Sequence, residues 1–91
     1  MNNGNDVLEK AREAGREKRY QEALEMCLTF IEANPELPDG FRTRSHVYGL
    51  MGDFVDAISD RTTAIQRDRG VPEDFFFRGW WNLEIKLSLL G

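Results

Sequence analysis

Few side chains in this chain could do chemistry, and they are scattered. His46 is the one histidine and Cys27 the one cysteine. A histidine can take or give a proton near neutral pH, but it needs a partner. Ser45 precedes His46 directly, and adjacency in sequence does not set a hydroxyl against an imidazole. Cys27 falls among apolar residues, where a thiol behaves as a small hydrophobe, and nothing nearby marks it as an activated nucleophile. No His, Cys and carboxylate group has metal-ligand spacing, and no glycine-rich loop follows a strand. The Asp and Glu residues fall on what read as solvated helix faces, so no acid–base pair is indicated. We expect a protein that is not an enzyme, with no metal and no cofactor.

The elements that hold these groups are constrained by composition. Ninety-one residues argue for a single domain spanning 1–91. With 41% hydrophobic and 31% charged residues, the chain can fold around a modest core. A net charge of −4 without a basic cluster disfavours nucleic acid, whose phosphates require grouped Lys and Arg. One cysteine permits no internal disulfide. The polar start, Met1 to Asp6, has neither the basic nor the apolar region of a signal peptide. The most apolar stretch, Phe75 to Leu90, is broken by Arg78, Asn82, Glu84 and Lys86, which argues against a membrane span. A cytoplasmic location is the expectation.

The chain repeats itself at a fixed interval. Laid over itself so that Tyr20 falls on Phe54, it also brings Ala23 onto Ala57, Leu24 onto Ile58 and Ile31 onto Ile65. The same shift brings Pro38 onto Pro72, Phe41 onto Phe75 and Arg44 onto Arg78. Two and a half units result, at about 4–37, 38–71 and 72–91. Pro38 and Pro72 suit the first turn of a helix, where the missing N–H has no partner to lose. Gly52 and Asp53 read as a helix stop followed by an N-cap. Tyr20, Ala23, Leu24, Cys27, Leu28 and Ile31 recur at three- and four-residue steps and define one apolar helix face. The pattern predicts helices at about 5–17, 20–33, 38–50, 54–67 and 72–88.

A repeat of two helices, about 34 residues long, with alanine at a fixed place and proline near its close, resembles the tetratricopeptide repeat (TPR). The first unit supplies Tyr20, Ala23, Cys27 and Pro35. The second supplies Tyr48, Gly52, Asp53, Phe54, Ala57 and Ala64. The third begins with Pro72, Phe75 and Gly79. The resemblance implies an all-α fold, a right-handed superhelix of antiparallel helix pairs with five helices. It also implies that Ala11, Ser45 and Gly79 stand where paired helices approach closely. The pattern is departed from at Lys10 and Arg44 in place of Leu, at Phe30 in place of Ala, at Arg61 in place of an aromatic, and at Arg69 in place of a closing proline.

The resemblance further implies a concave groove lined by the first helix of each unit. Carried over by position, it would present Leu8, Arg12 and Arg16, then Arg42 and His46, then Phe76, Trp80 and Leu83. Such a groove would bind a peptide or protein partner bearing a carboxylate beside apolar side chains. The competing reading is that its arginines are solvated and paired with Glu9, Glu13 or Glu17 on their own helix. A chaperone-type carboxylate clamp is not expected, because of its positions only Arg12 is chemically suited.

The last helix carries two apolar stripes. One is Phe76, Trp80, Leu83, Leu87 and Leu90; the other is Phe77, Trp81, Ile85 and Leu89. A neighbouring helix can cover one of them, and the other is left for self-association, for a partner or membrane surface, or for the missing second half of the third unit in a longer chain. With Phe76 and Trp80 given to the groove, Phe77, Trp81, Ile85 and Leu89 are the candidates for self-association. Three functions follow as expectations: a partner-binding module, a homodimerising element, or a regulatory part of a larger enzyme or sensor.

Overall fold

The computed structural model describes residues 4–68 and 72–90, with side chains from residue 6 onward. It contains helices α1 (Gly4–Arg16), α2 (Tyr20–Ala33), α3 (Pro38–Met51), α4 (Phe54–Asp68) and α5 (Pro72–Leu90), and no strand among the described residues. Each helix lies against the next, and α1 also touches α3. The molecule measures 48 × 30 × 18 Å, so its thinnest dimension is two helix layers. Every helix begins and ends within two residues of the position that the sequence implies. Arg69, at the expected close of the second unit, lies outside the described residues.

The repeat is visible in the backbone itself. At the end of α1, the N–H of Lys18 donates to the carbonyl of Gly15 at 3.0 Å, and that of Arg19 to Ala14 at 2.8 Å. At the end of α3, Gly52 donates to Gly49 at 3.1 Å and Asp53 to Tyr48 at 2.9 Å. These are the two crossed bonds of a Schellman stop, and the second set is the first moved on by one repeat unit. Both turns need a left-handed residue, with φ of 66° at Lys18 and 83° at Gly52. Glycine adopts that conformation freely and lysine does not.

The interior gains ion pairs along the chain. Between α1, α2 and α3 the core is Ala11, Ala14, Ala23, Cys27 and Val47, flanked by Tyr20, Leu24, Met26 and Met51. Small side chains at these sites let the helices approach closely. Leu8, expected in the groove, is instead fully buried. Phe30, a departure from the repeat pattern, fits because Gly40 faces it; a Cβ there would come within 2.9 Å of Phe30 Cδ1.

Toward α5 the interior combines apolar Ala57, Ala64 and Trp81 with ion pairs. Arg44 Nε and Nη2 donate to the two carboxylate oxygens of Asp60 at 2.7 and 2.9 Å. Arg61 and Asp74 are both buried, and Arg61 Nη1 donates to Asp74 Oδ1 at 2.7 Å. Arg42 grips the same carboxylate from α3, through Nε at 2.8 Å and Nη2 at 2.9 Å. One aspartate of α5 is thus held by arginines from α3 and α4. Charges removed from water survive only when paired with opposite charge.

Candidate functional site

A cleft of about 300 Å³ opens between α1, α3, α4 and α5. From α1 come Arg12 and Arg16, one turn apart on the same face. From α3 come Arg42 and His46, spaced in the same way. Arg61 of α4, with Glu73 and Phe77 of α5, completes the wall. Four of the six residues expected to face a partner, Arg12, Arg16, Arg42 and His46, therefore line one cleft. Phe76 and Trp80 do not line it; both side chains are largely exposed. The aromatic contributed by α5 is Phe77.

The arginines of the cleft are not equivalent. Arg42 is committed to Asp74 and also reaches Asp68 at 3.2 Å. The hydrogen bonds to Asp74, above all, raise its pKa further. Arg61 is held by Asp74, with Glu73 at 3.6 Å, and its guanidinium lies 5.2 Å from the ring centre of Phe77 and 5.5 Å from that of Trp81. Its Nε is buried without a hydrogen-bond partner, so these aromatic faces are what the cation leans on there. Both side chains are scaffold. Arg12 makes only an exposed bond to Glu9, at 3.1 Å, and such pairs exchange readily with water. Arg16 is exposed and has no ion-pair partner among the described residues. The expected pairing of the α1 arginines with their own helix is thus present at Arg12 through Glu9, while Arg16 has no such partner.

His46 sits half-buried among these cations. Burial lowers its pKa from 6.5, and the charges of Arg61, Arg12 and Arg16 lower it further, against a small opposing effect of Glu73. Near neutral pH the imidazole is uncharged and can donate or accept one hydrogen bond. The cleft is accordingly a cationic rim, Arg12 and Arg16, beside a neutral imidazole and an aromatic edge. It is suited to holding a carboxylate. Among the described residues, no nucleophile with a neighbouring base lines it.

The stripe expected to self-associate is divided. Trp81 is only 4% exposed. Its indole lies over Gly49 of α3 and stacks on Phe77 at 5.5 Å between ring centres. Ile85 and Leu89 border a different hollow, shared with Gly52 to Asp56 at the start of α4. Trp81 therefore cannot serve a surface contact; it anchors α5. The physical reason is that Gly49 leaves a hollow wide enough for an indole.

The residues missed by sequence reasoning are Asp74 and Asp60, which fix the arginines. A signal was present. Arg61 is the repeat equivalent of Cys27, and Asp74 is that of Gly40. Cys27 and Gly40 are both buried. Opposite charges at two equivalent interior places imply that they pair. Among the described residues, no three His, Cys, Asp or Glu side chains gather as for a metal ion, and no helix is long and apolar enough to cross a membrane.

Comparison with known proteins returns no matching family model and no matching curated protein.

Proposed function

We propose that this chain is a tetratricopeptide-like interaction module, a right-handed superhelix of antiparallel helix pairs that binds a carboxylate-bearing segment of a protein partner. One observation carries the binding role: Arg12, Arg16 and His46 converge on a single cleft from two different repeat units, while Arg42 and Arg61 are neutralised beneath them. The guanidinium groups of Arg12 and Arg16 are available to carboxylate oxygens, which they can engage in paired hydrogen bonds. The matching turns at Lys18 and Gly52 support the repeat reading, because they reproduce one backbone device at the repeat interval. The reading assigns no catalytic step and needs no cofactor.

The test is fluorescence anisotropy with labelled acidic peptides, against lysine-rich peptides of equal length. We expect binding of the acidic series, weakened with rising salt. Arg12→Ala combined with Arg16→Ala should weaken it at least about tenfold, equivalent to ~1.4 kcal/mol. Equal affinity of this variant and the unaltered protein would remove the cleft from consideration. Asp53→Ala, at the far turn, serves as the control.

A further inference from the structure

We propose that the cleft takes up a proton together with its anion, that His46 receives this proton, and that the module therefore grips an acidic segment more tightly as the solution becomes mildly acidic. The inference rests on the carboxylate-binding reading and adds a control to it.

The imidazole lines the cleft, half-buried, and makes no hydrogen bond to the protein among the described residues. Ser45, its neighbour in sequence, is turned away; its Oγ donates to the carbonyl of Arg42 at 2.6 Å. Every helix that walls the cleft sets a charge there. From α1 come Arg12 and Arg16, from α4 Arg61, from α5 Glu73, and from α3 itself Arg42, one turn before His46. Of the charged groups lining the cleft, none belongs to α2. Arg42 and Arg61 are tied to Asp74. Arg12 has only the exposed Glu9, and Arg16 has no ion-pair partner among the described residues. Glu73 is the one carboxylate on the wall, but its side chain is 61% exposed and stands 3.6 Å from Arg61. The free protein thus offers His46 cations on several sides and no acid of its own to pair with.

An empty cleft keeps the ring neutral. Burial is the first cause, and the charges of Arg61, Arg12 and Arg16 add to it, against the weaker pull of Glu73. A carboxylate seated on Arg12 and Arg16 offsets two of these charges. It also brings a negative group beside the imidazole, which favours the protonated form. The cleft, at about 300 Å³, is at the small end for binding sites, so anion and ring are neighbours in it. Once protonated, the ring has two N–H donors instead of one, and can give one to a carboxylate oxygen in a charge-assisted bond. Proton and anion then strengthen each other's binding by the same factor. The complex titrates at a higher pH than the free protein. Affinity is level above the higher midpoint, rises as pH falls between the two, and is level again below the lower.

The probe is an aspartate-rich peptide with blocked termini, whose carboxylates stay ionised above about pH 5. Fluorescence anisotropy from about pH 7.5 to about pH 5.5 should show the unaltered protein binding about three- to tenfold more tightly at the acid end. His46→Gln should bind as the unaltered protein does at the alkaline end and gain little on acidification. Calorimetry near neutral pH, in two buffers of different protonation enthalpy, should show net proton uptake on binding, absent in His46→Gln. It needs no acid limb, so it decides the matter even if acid loosens the fold. Imidazole NMR should place the midpoint higher with peptide than without. Binding that is independent of pH, without proton uptake, would overturn this proposal and leave the carboxylate reading standing. Uptake that persists in His46→Gln would overturn it as well. No binding at any pH would remove both.

Discussion

The indole of Trp81 fills the space that a side chain at Gly49 would need: a Cβ there would stand 2.7 Å from Trp81 Cζ2. The absence of one carbon in α3 thereby sets the rotation of α5 about its own axis. With Trp81 seated, Phe77 turns toward the cleft, and Phe76 and Trp80 turn to solvent. Gly49→Ala forces a rigid ring to move, so we expect a loss of about 1–3 kcal/mol despite the better helix propensity of alanine. Urea unfolding followed by circular dichroism measures it. Trp81→Leu in the same chain should recover part of the loss, since the smaller side chain vacates the hollow.

The paired turns make a second prediction of opposite signs. Lys18 holds a left-handed φ of 66°, where a side chain is strained. Lys18→Gly should stabilise the fold by up to about 1 kcal/mol, the gain being limited by the greater freedom of glycine when unfolded. Gly52→Ala, at φ of 83°, should destabilise by about 1 kcal/mol for the same reason reversed. Thermal midpoints of the two variants, recorded side by side, decide it.

Asp74 holds two arginines from two helices, so its loss leaves the buried Arg61 with only the exposed Glu73, at 3.6 Å, and Arg42 with only Asp68. Asp74→Ala should cost about 3–5 kcal/mol, a large part of the whole stability expected for a domain of this size. The double variant Asp74→Ala with Arg61→Met should cost less than the sum of the single changes, because it removes a stranded cation along with its partner. A double-mutant cycle from urea midpoints yields the coupling.

His46 makes stability depend on pH. Its folded pKa is lowered below 6.5, first by burial and then by Arg61, Arg12 and Arg16. Above that value the imidazole is neutral in both states, and its contribution is fully present. As pH falls below it, the unfolded chain takes up the proton first, so stability declines until the folded protein is protonated too. The slope from this group is at most about 1.4 kcal/mol per pH unit. Titration of the imidazole by NMR should show a midpoint below 6.5, and His46→Gln should flatten the stability profile between pH 5 and 7.

The helices were legible because their ends are written in residue types. Pro38 and Pro72 open helices, Gly52 closes one, and the repeat interval connects them. Four of the six polar residues of the cleft, Arg12, Arg16, Arg42 and His46, were legible for a related reason, since positions one turn apart share a helix face. The orientation of α5 was not. Phe76, Trp80 and Leu83 are as apolar as Phe77, Trp81 and Ile85, and periodicity alone treats both stripes alike. What separates them is the hollow at Gly49, which lies on α3, two helices before Trp81. The pairing of Arg61 with Asp74 could be reached only through the repeat equivalences with Cys27 and Gly40, because the two residues belong to separate helices and separate repeat units.

The concentration of ion pairs on the carboxy-terminal side of the interior, beside Ala57, Ala64 and Trp81, has a consequence for how the molecule comes apart. Each helix leans chiefly on its sequence neighbours, so fraying can begin at either end. The alanine and valine packing of α1 to α3 weakens on cooling. The arginine and aspartate pins of α3 to α5 lose less on heating, since the hydration that competes with them fades as temperature rises. Temperature therefore acts as a selector of which end loosens first: the amino-terminal pair in the cold, with the carboxy-terminal helix gaining relative hold as the solution warms.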